Sequence, residues 1–291
     1  MMQQNPILMQ WMQRLAPMDQ LNLTPKNDTE IGYLQLVGLL IQQIEHYQKI
    51  SSAPFLLAIT GPIAVGKSYF TQKILSLLKL FFSDALSINT DGFIFPTEQL
   101  IQTDKLLLKG FPETYDLKAF ETFLHQIKHG VTAHAPHYAV ELYDRHPTQE
   151  DKIEPPLSLL ILEGLNIFHS SKQPSLATYI DFIIYLDAAE TNLFTWYQER
   201  RLNALAHYQS QPTALHLSPY WSQLSKLSKQ EYLMDIKNTW LNVNLPNIDR
   251  HIAPYKKQAH VIVQKQINHR ISDLNFIQQS SIFSENFAGN K

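Results

Sequence analysis

The sequence predicts an α/β protein: a doubly wound, mostly parallel sheet flanked by helices. Three observations predict it. Short runs at 55–60, 157–162 and 179–186 are nearly continuous in apolar residues, broken inside only by Ser158 and Asp181, as in strands buried on both faces. Longer stretches between them carry apolar residues at helical spacing. Gly61, Asp91, Glu163 and Asp187 close successive strand-like runs, and in such sheets ligands collect at the carboxyl ends of the strands.

Taken in order, residues 33–47 read as a helix with Leu34, Val37, Leu40, Ile41 and Ile44 on one face. A strand at 55–60, a glycine-punctuated loop and a helix at 69–80 follow. A short strand at 85–90 ends at Asp91-Gly92, and a helix spans 117–128. Residues 134–144 are extended or looped around Pro136. After the strands at 157–162 and 179–186, a helix at 191–205 carries Trp196, Tyr197, Arg200 and Arg201. The Gln-, Ser-, Pro- and His-rich stretch 207–219 reads as a flexible loop, 229–243 as a helix, 244–254 as a polar loop around two prolines, and 260–263 as a last strand. One domain is expected over 1–291, with a helical N-terminal extension to about 50 and a polar, frayed tail from 280.

The chain has 291 residues, 44% hydrophobic and 17% charged, with net charge −2 and no cysteine. That supports a sizeable core. No Lys/Arg-rich run marks a nucleic acid or a membrane surface as partner. Without cysteine, disulfides and thiolate metal sites are excluded, which fits a cytoplasmic protein. Polar residues interrupt every apolar stretch in the first 30 residues, unlike a secretory signal, and no run is long enough to span a membrane. Trp11 and its neighbouring methionines suit a short amphipathic helix packed on the main domain.

The chemistry starts at Gly61, where Gly61, Gly66, Lys67 and Ser68 fall at G-x-x-x-x-G-K-S spacing between a strand and a helix. A chance match in a chain this long is on the order of one per cent from average residue frequencies, before the flanking elements are considered. Glycines let backbone N–H groups converge on an anion, and the helix N-terminus adds partial positive charge. The loop supplies a nucleotide-binding set of Gly61, Ala64, Val65, Gly66, Lys67, Ser68 and Tyr69. Lys67 would reach the β- and γ-phosphates of a triphosphate and Ser68 would bind Mg²⁺.

Phosphoryl transfer also needs a group to orient the attacking hydroxyl. Asp91, after the second strand, is the candidate to accept that proton; alone it would read as a turn former. Glu163, closing a buried strand, is the candidate metal carboxylate, directly or through water; its bland alternative is a surface charge before a Gly turn. Arg200 shares a helix face with Tyr197 at i−3 and would stabilise the transferring phosphate, though an ordinary surface arginine has the same spacing. Asp187 reads as structural, and His207 and His216 have no metal-ligand spacing.

Several stretches together resemble the bacterial type I pantothenate kinases, of the P-loop kinase superfamily that includes uridine kinase and phosphoribulokinase. They are GPIAVGKS (61–68), TDGFIFP (90–96), KGFPETYD (109–116), ELYD (141–144), ILEGLN (161–166), YLDAAE (185–190) and TWYQER (195–200). The resemblance implies ATP- and Mg²⁺-dependent phosphorylation of the primary hydroxyl of pantothenate, the first step of coenzyme A synthesis, by a homodimer. It implies that Asp91 is catalytic together with Lys67 and Arg200, and that Lys109, Tyr138, Tyr143, Tyr197 and Asn244 contact pantothenate. Lys265 and His269 match residues near the adenine.

The chain departs from this pattern at Ile41, where an asparagine is expected at the adenine edge, in a loop at 205–219 that is longer than usual and lacks the family's charged segment, and at three positions of the inhibitor site. Gln72 stands where the family has an arginine, Val140 where it has a histidine, and Ala204 where it has a bulky aromatic. In the family these contribute to feedback inhibition by coenzyme A, so weakened feedback is expected. Val140 and Ala204 also neighbour the acceptor pocket, which leaves open a kinase of another small alcohol or a nucleoside. A nucleotide-binding protein without catalysis is the third reading. Against it, Lys67, Ser68, Asp91, Glu163 and Arg200 are all present.

Overall fold

The run Phe55–Thr60 forms β1, every residue of it buried, with strands paired on both edges and helices packed on the sheet. The computed structural model describes residues 13–14, 27–169, 176–210 and 219–277. The expected amphipathic helix around Trp11 and the frayed tail from 280 lie outside them. β5 (Leu159–Glu163) pairs with β1 in parallel on one side, with Phe55 opposite Leu159, and β6 (Phe182–Ala188) does so on the other. β2 (Leu86–Asn89), β7 (Val261–Lys265) and β8 (Ile271–Phe276) complete a six-stranded sheet in the order β2-β5-β1-β6-β7-β8. Five strands are parallel; β8 runs antiparallel at the edge. The carboxyl ends of β1, β2 and β5 therefore lie side by side, and the glycine loop, Asp91 and Glu163 sit on one rim.

The helices flank this sheet. α1 (Asp28–Gln48) starts at Asn27, whose side chain accepts from the Glu30 N–H at 3.1 Å, and it packs on α2 (Lys67–Leu78) through Tyr33 and Phe70, 5.2 Å between ring centres. A short α3 (Thr97–Gln102) precedes α4 (Leu117–Lys128), which is capped by Asp116. α5 (Glu190–Ser210), α6 (Pro219–Leu224) and α7 (Lys229–Thr239) follow β6; Ser228 and Glu231 form a reciprocal cap on α7. No helix among the described residues is long and apolar enough to cross a membrane.

The structure differs from expectation in four places. Residues 133–153 form an antiparallel hairpin, β3 (Ala133–Ala139) and β4 (Asp144–Ile153), outside the main sheet. β4 reads DRHPTQEDKI and is mostly exposed, so it carries no apolar alternation to announce it. α5 continues to Ser210, into the stretch expected to be a loop, because Tyr208 is buried against Trp221 with ring centres 4.7 Å apart. Its hydroxyl donates to the Glu141 carbonyl at 2.9 Å. The expected polar loop after 243 is instead wound into wide helical turns from Trp240 to Ile252, which carry Pro246 within the coil. β8 has one buried residue and no sequence signature of its own.

Candidate active site

The glycine loop is built by close packing. A Cβ on Gly61 would lie 2.3 Å from the Leu186 carbonyl oxygen on β6, and its φ of +144° favours glycine. Gly66, at φ +86°, precedes α2, and no side chain caps that helix or places an acid in its first turn. The helix N-terminus is thus arranged to receive an anion. Lys67 is buried; its ammonium donates to the carbonyls of Gly61 (3.1 Å) and Pro62 (2.9 Å). Burial pushes its pKa down to about 8, with the charges of Glu163 and Asp91 working the other way.

The Ser68 hydroxyl donates to Glu163 Oε1 at 3.0 Å, so the residues expected to meet a metal do meet each other. Burial raises the Glu163 pKa, opposed by Lys67. Among the described residues no three His, Cys, Asp or Glu side chains cluster to hold a metal. A hydroxyl beside one carboxylate is the donor set that suits Mg²⁺ carried in with phosphates, since that ion keeps waters and few protein ligands.

Asp91 sits in a tight turn, Thr90–Phe93, whose start is fixed by the Asp91 N–H donating to Asn89 Oδ1 at 2.8 Å. Tyr115, buried and held protonated by desolvation and then by the Asp91 charge, donates to Asp91 Oδ1 at 2.9 Å. That bond orients the carboxylate. The β3–β4 hairpin lies directly against this turn: a Cβ on Gly92 would be 1.9 Å from the Pro136 carbonyl oxygen.

Of the expected acceptor residues, Lys109, Tyr138 and Tyr143 come together at that hairpin, and Tyr197 lies within electrostatic reach of Tyr143. Tyr138 is on β3; Tyr143 lies in the hairpin turn at φ +55° and stacks on Tyr220 at 4.4 Å. The Tyr138 pKa is raised, by burial first and then by Tyr143 and Asp91, which puts it within electrostatic reach of the carboxylate. Lys109 donates to Thr97 Oγ1 at 2.8 Å and to the Tyr143 carbonyl, and lies 4.9 Å from the Tyr143 ring centre. Its ammonium is thereby tied to the hairpin. Arg200 is exposed, yet its charge reaches Lys67, Glu163, Tyr138 and Tyr143. Tyr197 is buried beside Trp240, and its partner on α5 is Arg201 at i+4 rather than Arg200 at i+3. Asn244 is partly buried, with no partner for Nδ2 among the described residues.

On the other side of the loop, Lys265 donates to the Val65 carbonyl at 2.7 Å and lies 5.6 Å from the Trp196 ring centre. His269 stacks on the same indole at 4.3 Å. Both line a cleft of about 520 Å³, with Tyr33, Gly66, Tyr69 and Lys73 among the other walls. The two residues expected near the adenine therefore adjoin the glycine loop, and Lys265 braces it.

The sequence pattern of the Phosphoribulokinase / Uridine kinase family matches residues 56–203. Pantothenate kinase from Streptococcus pyogenes serotype M5 (strain Manfredo) is 36% identical over 229 residues, 77% of this chain and 73% of that protein. The pantothenate kinase of Streptococcus agalactiae serotype III (strain NEM316) is 36% identical over 234 residues, 79% and 73%. The chain belongs to the pantothenate kinases of the phosphoribulokinase / uridine kinase family. Among solved structures, D-glycerate 3-kinase from Cryptococcus neoformans var. grubii serotype A superposes with a TM-score of 0.57 at 15% identity, over 84% of this chain and 99% of that one. It shares the fold.

Set against the pantothenate kinase pattern, two of the three inhibitor-site departures lie on the surface and the third packs partly buried against the core. Gln72 is exposed on α2, Val140 is 64% exposed at the hairpin tip, and Ala204 is half-buried on α5. Sequence reasoning passed over Tyr115, Arg201 and Tyr220, which hold the proposed site residues, and over Asn166 and Asn247, whose side-chain amides both donate to the Gly110 carbonyl. Tyr115 and Asn166 were visible only as members of the KGFPETYD and ILEGLN segments.

Proposed function

We propose that this pantothenate kinase family member transfers the γ-phosphoryl group of ATP to the primary hydroxyl of pantothenate, giving 4′-phosphopantothenate. One arrangement carries the reading: Lys67, Ser68 with Glu163, and Asp91 share the rim at the carboxyl ends of β1, β5 and β2, facing a tyrosine-lined hairpin. The substrate hydroxyl oxygen attacks the γ-phosphorus, its proton passes to Asp91, and the bond to the bridging oxygen breaks, releasing ADP. Lys67 and Arg200 counter the charge spread over the transferring oxygens. Ser68 and Glu163 would hold Mg²⁺, which supplies charge neutralisation on the phosphates. The cleft walled by Lys265 and His269 takes the nucleoside end. Lys109, Tyr138, Tyr143, Tyr197 and Asn244 form the acceptor side.

Weak control by coenzyme A belongs to the same reading, because Gln72 and Ala204 offer the inhibitor neither cation nor aromatic ring. So do a cytoplasmic setting, one kinase domain with a helical N-terminal extension, and a homodimer, whose check is a sedimentation mass twice the 33.6 kDa chain. The deciding experiment is ATP turnover with pantothenate for the native protein and Asp91→Ala, with coenzyme A titrated in the same assay. Turnover should fall by on the order of a hundredfold or more when the base is removed, and coenzyme A should inhibit only weakly. Turnover of uridine but not pantothenate would reject the substrate. ATP binding without transfer to any acceptor would reject the enzyme, and tight inhibition by coenzyme A would reject the loss of feedback.

A further inference from the structure

Arg201 is 8% exposed, with its charged head inside the protein behind the acceptor wall. Its guanidinium meets three oxygens: Nε donates to the Tyr232 hydroxyl at 3.2 Å, Nη1 to the Tyr197 hydroxyl at 2.9 Å, and Nη2 to Asp235 Oδ2 at 2.9 Å. The guanidinium also lies 5.7 Å from the Tyr220 ring centre, and Tyr220 is the ring stacked on Tyr143. A buried charge is tolerated where it is paired and hydrogen-bonded, as here, and removing one partner leaves the others uncompensated.

The two phenols differ in what they do with their protons. The Tyr232 hydroxyl accepts from Arg201 Nε and donates to the Arg201 carbonyl at 2.9 Å, so its one proton is taken. Tyr197 accepts from Nη1, because a guanidinium has donors only. Among the described residues nothing takes the Tyr197 proton. Its oxygen is anchored from behind by a fixed cation, and its O–H stays available as a donor.

We propose that Arg201, held by Asp235 and Tyr232, is a positioning residue for acceptor recognition, locking Tyr197 as a hydrogen-bond donor to a carbonyl or carboxylate oxygen of the substrate. This rests on the proposed function in placing Tyr197 on the acceptor side. Arg201 lines no part of the cleft assigned to the nucleotide, and among the described residues its hydrogen-bond and ring partners lie on α5, α6 and α7. The effect therefore belongs to acceptor binding and not to ATP binding.

The test is a double-mutant cycle of Arg201→Leu with Tyr197→Phe. Steady-state constants are read for ATP and for the acceptor that the native protein turns over. Arg201→Leu should raise the acceptor KM about tenfold, the scale of one hydrogen bond to a charged group, and leave the ATP KM within about twofold. Added to Tyr197→Phe, it should cost less than about twofold more, because coupled residues are not additive. Arg201→Lys should recover part of the loss, since one ammonium reaches one of three oxygens. An equal rise in both backgrounds, or ATP and acceptor constants rising together, would overturn the proposal. If Arg201→Leu loses its thermal transition, Asp235→Asn in the same two backgrounds decides, with a smaller rise expected that disappears in Tyr197→Phe. Should the native protein phosphorylate an alcohol other than pantothenate, the substrate assignment falls, and the cycle run with that alcohol still decides the role of Arg201.

Discussion

At the scale of single residues, the bond that orients the proposed base is the one most open to a clean test. Asp91 is reached by its own turn, through Asn89, and by one side chain from another segment, Tyr115. The phenol is buried and stays protonated, so it is a permanent donor to Oδ1 and leaves the carboxylate's other oxygen to face a hydroxyl. Tyr115→Phe keeps the ring in its place in the core and removes that bond, together with the phenol's contact with the Asn166 side chain. Hydrogen bonds to charged groups contribute about 1.5–3 kcal/mol, which sets a fall in kcat of roughly tenfold or more. It should be smaller than the loss for Asp91→Ala, with the ATP KM unchanged. A kcat equal to the native value in single-turnover measurements would show that Asp91 is aimed by its turn alone.

At the scale of elements, the acceptor side depends on how closely the β3–β4 hairpin approaches the Thr90–Phe93 turn. Gly92 is the point of contact, and a methyl group there would meet the Pro136 backbone, which has no rotamer with which to yield. Gly92→Ala should push the hairpin outward, raising the acceptor KM at least tenfold and destabilising the fold by about 1–3 kcal/mol, as overpacked sites do. Kinetics for both substrates and a urea midpoint check it; an unchanged midpoint would mean the hairpin is free to shift. The same hairpin shows where sequence reading stopped. β1, β5 and β6 were legible because a buried parallel strand is an unbroken apolar word, and the glycine loop was legible because its chemistry restricts its residues. β4 and β8 lay hidden because their exposed faces leave composition unconstrained. The wide turns after Trp240 were hidden because prolines read as breaks unless the helix loosens around them. Tyr115 and Arg201 were hidden because no local spacing links them to Asp91, 24 residues away, or to Tyr232, 31 residues away.

At the scale of the whole molecule, the phosphate loop places two buried lysines close together before any anion arrives. Burial pushes both Lys67 and Lys265 from 10.5 down to about 8, with the two charges opposing each other at Lys67. A base whose folded pKa lies below its unfolded value costs stability while it is charged. Between about pH 8 and 10 the folded chain has released protons that the unfolded chain still holds, so the unfolding free energy of the nucleotide-free protein rises with pH. Above about 10 the sign reverses, because Tyr115, Tyr138 and Tyr143 have pKa values raised from 10.0 and stay protonated in the fold while the unfolded chain loses those protons. Urea midpoints at closely spaced pH values should therefore climb from pH 8 and turn over near 10, and Lys265→Met should flatten the climb. Nucleotide works the other way. A triphosphate favours the charged lysines, so its binding above pH 8 should take up protons and weaken as pH rises. Calorimetry in two buffers of different ionisation enthalpy measures that uptake directly. If the heats at pH 8.5 do not depend on buffer, the two lysines are already charged in the nucleotide-free protein, and the stability climb should be absent as well.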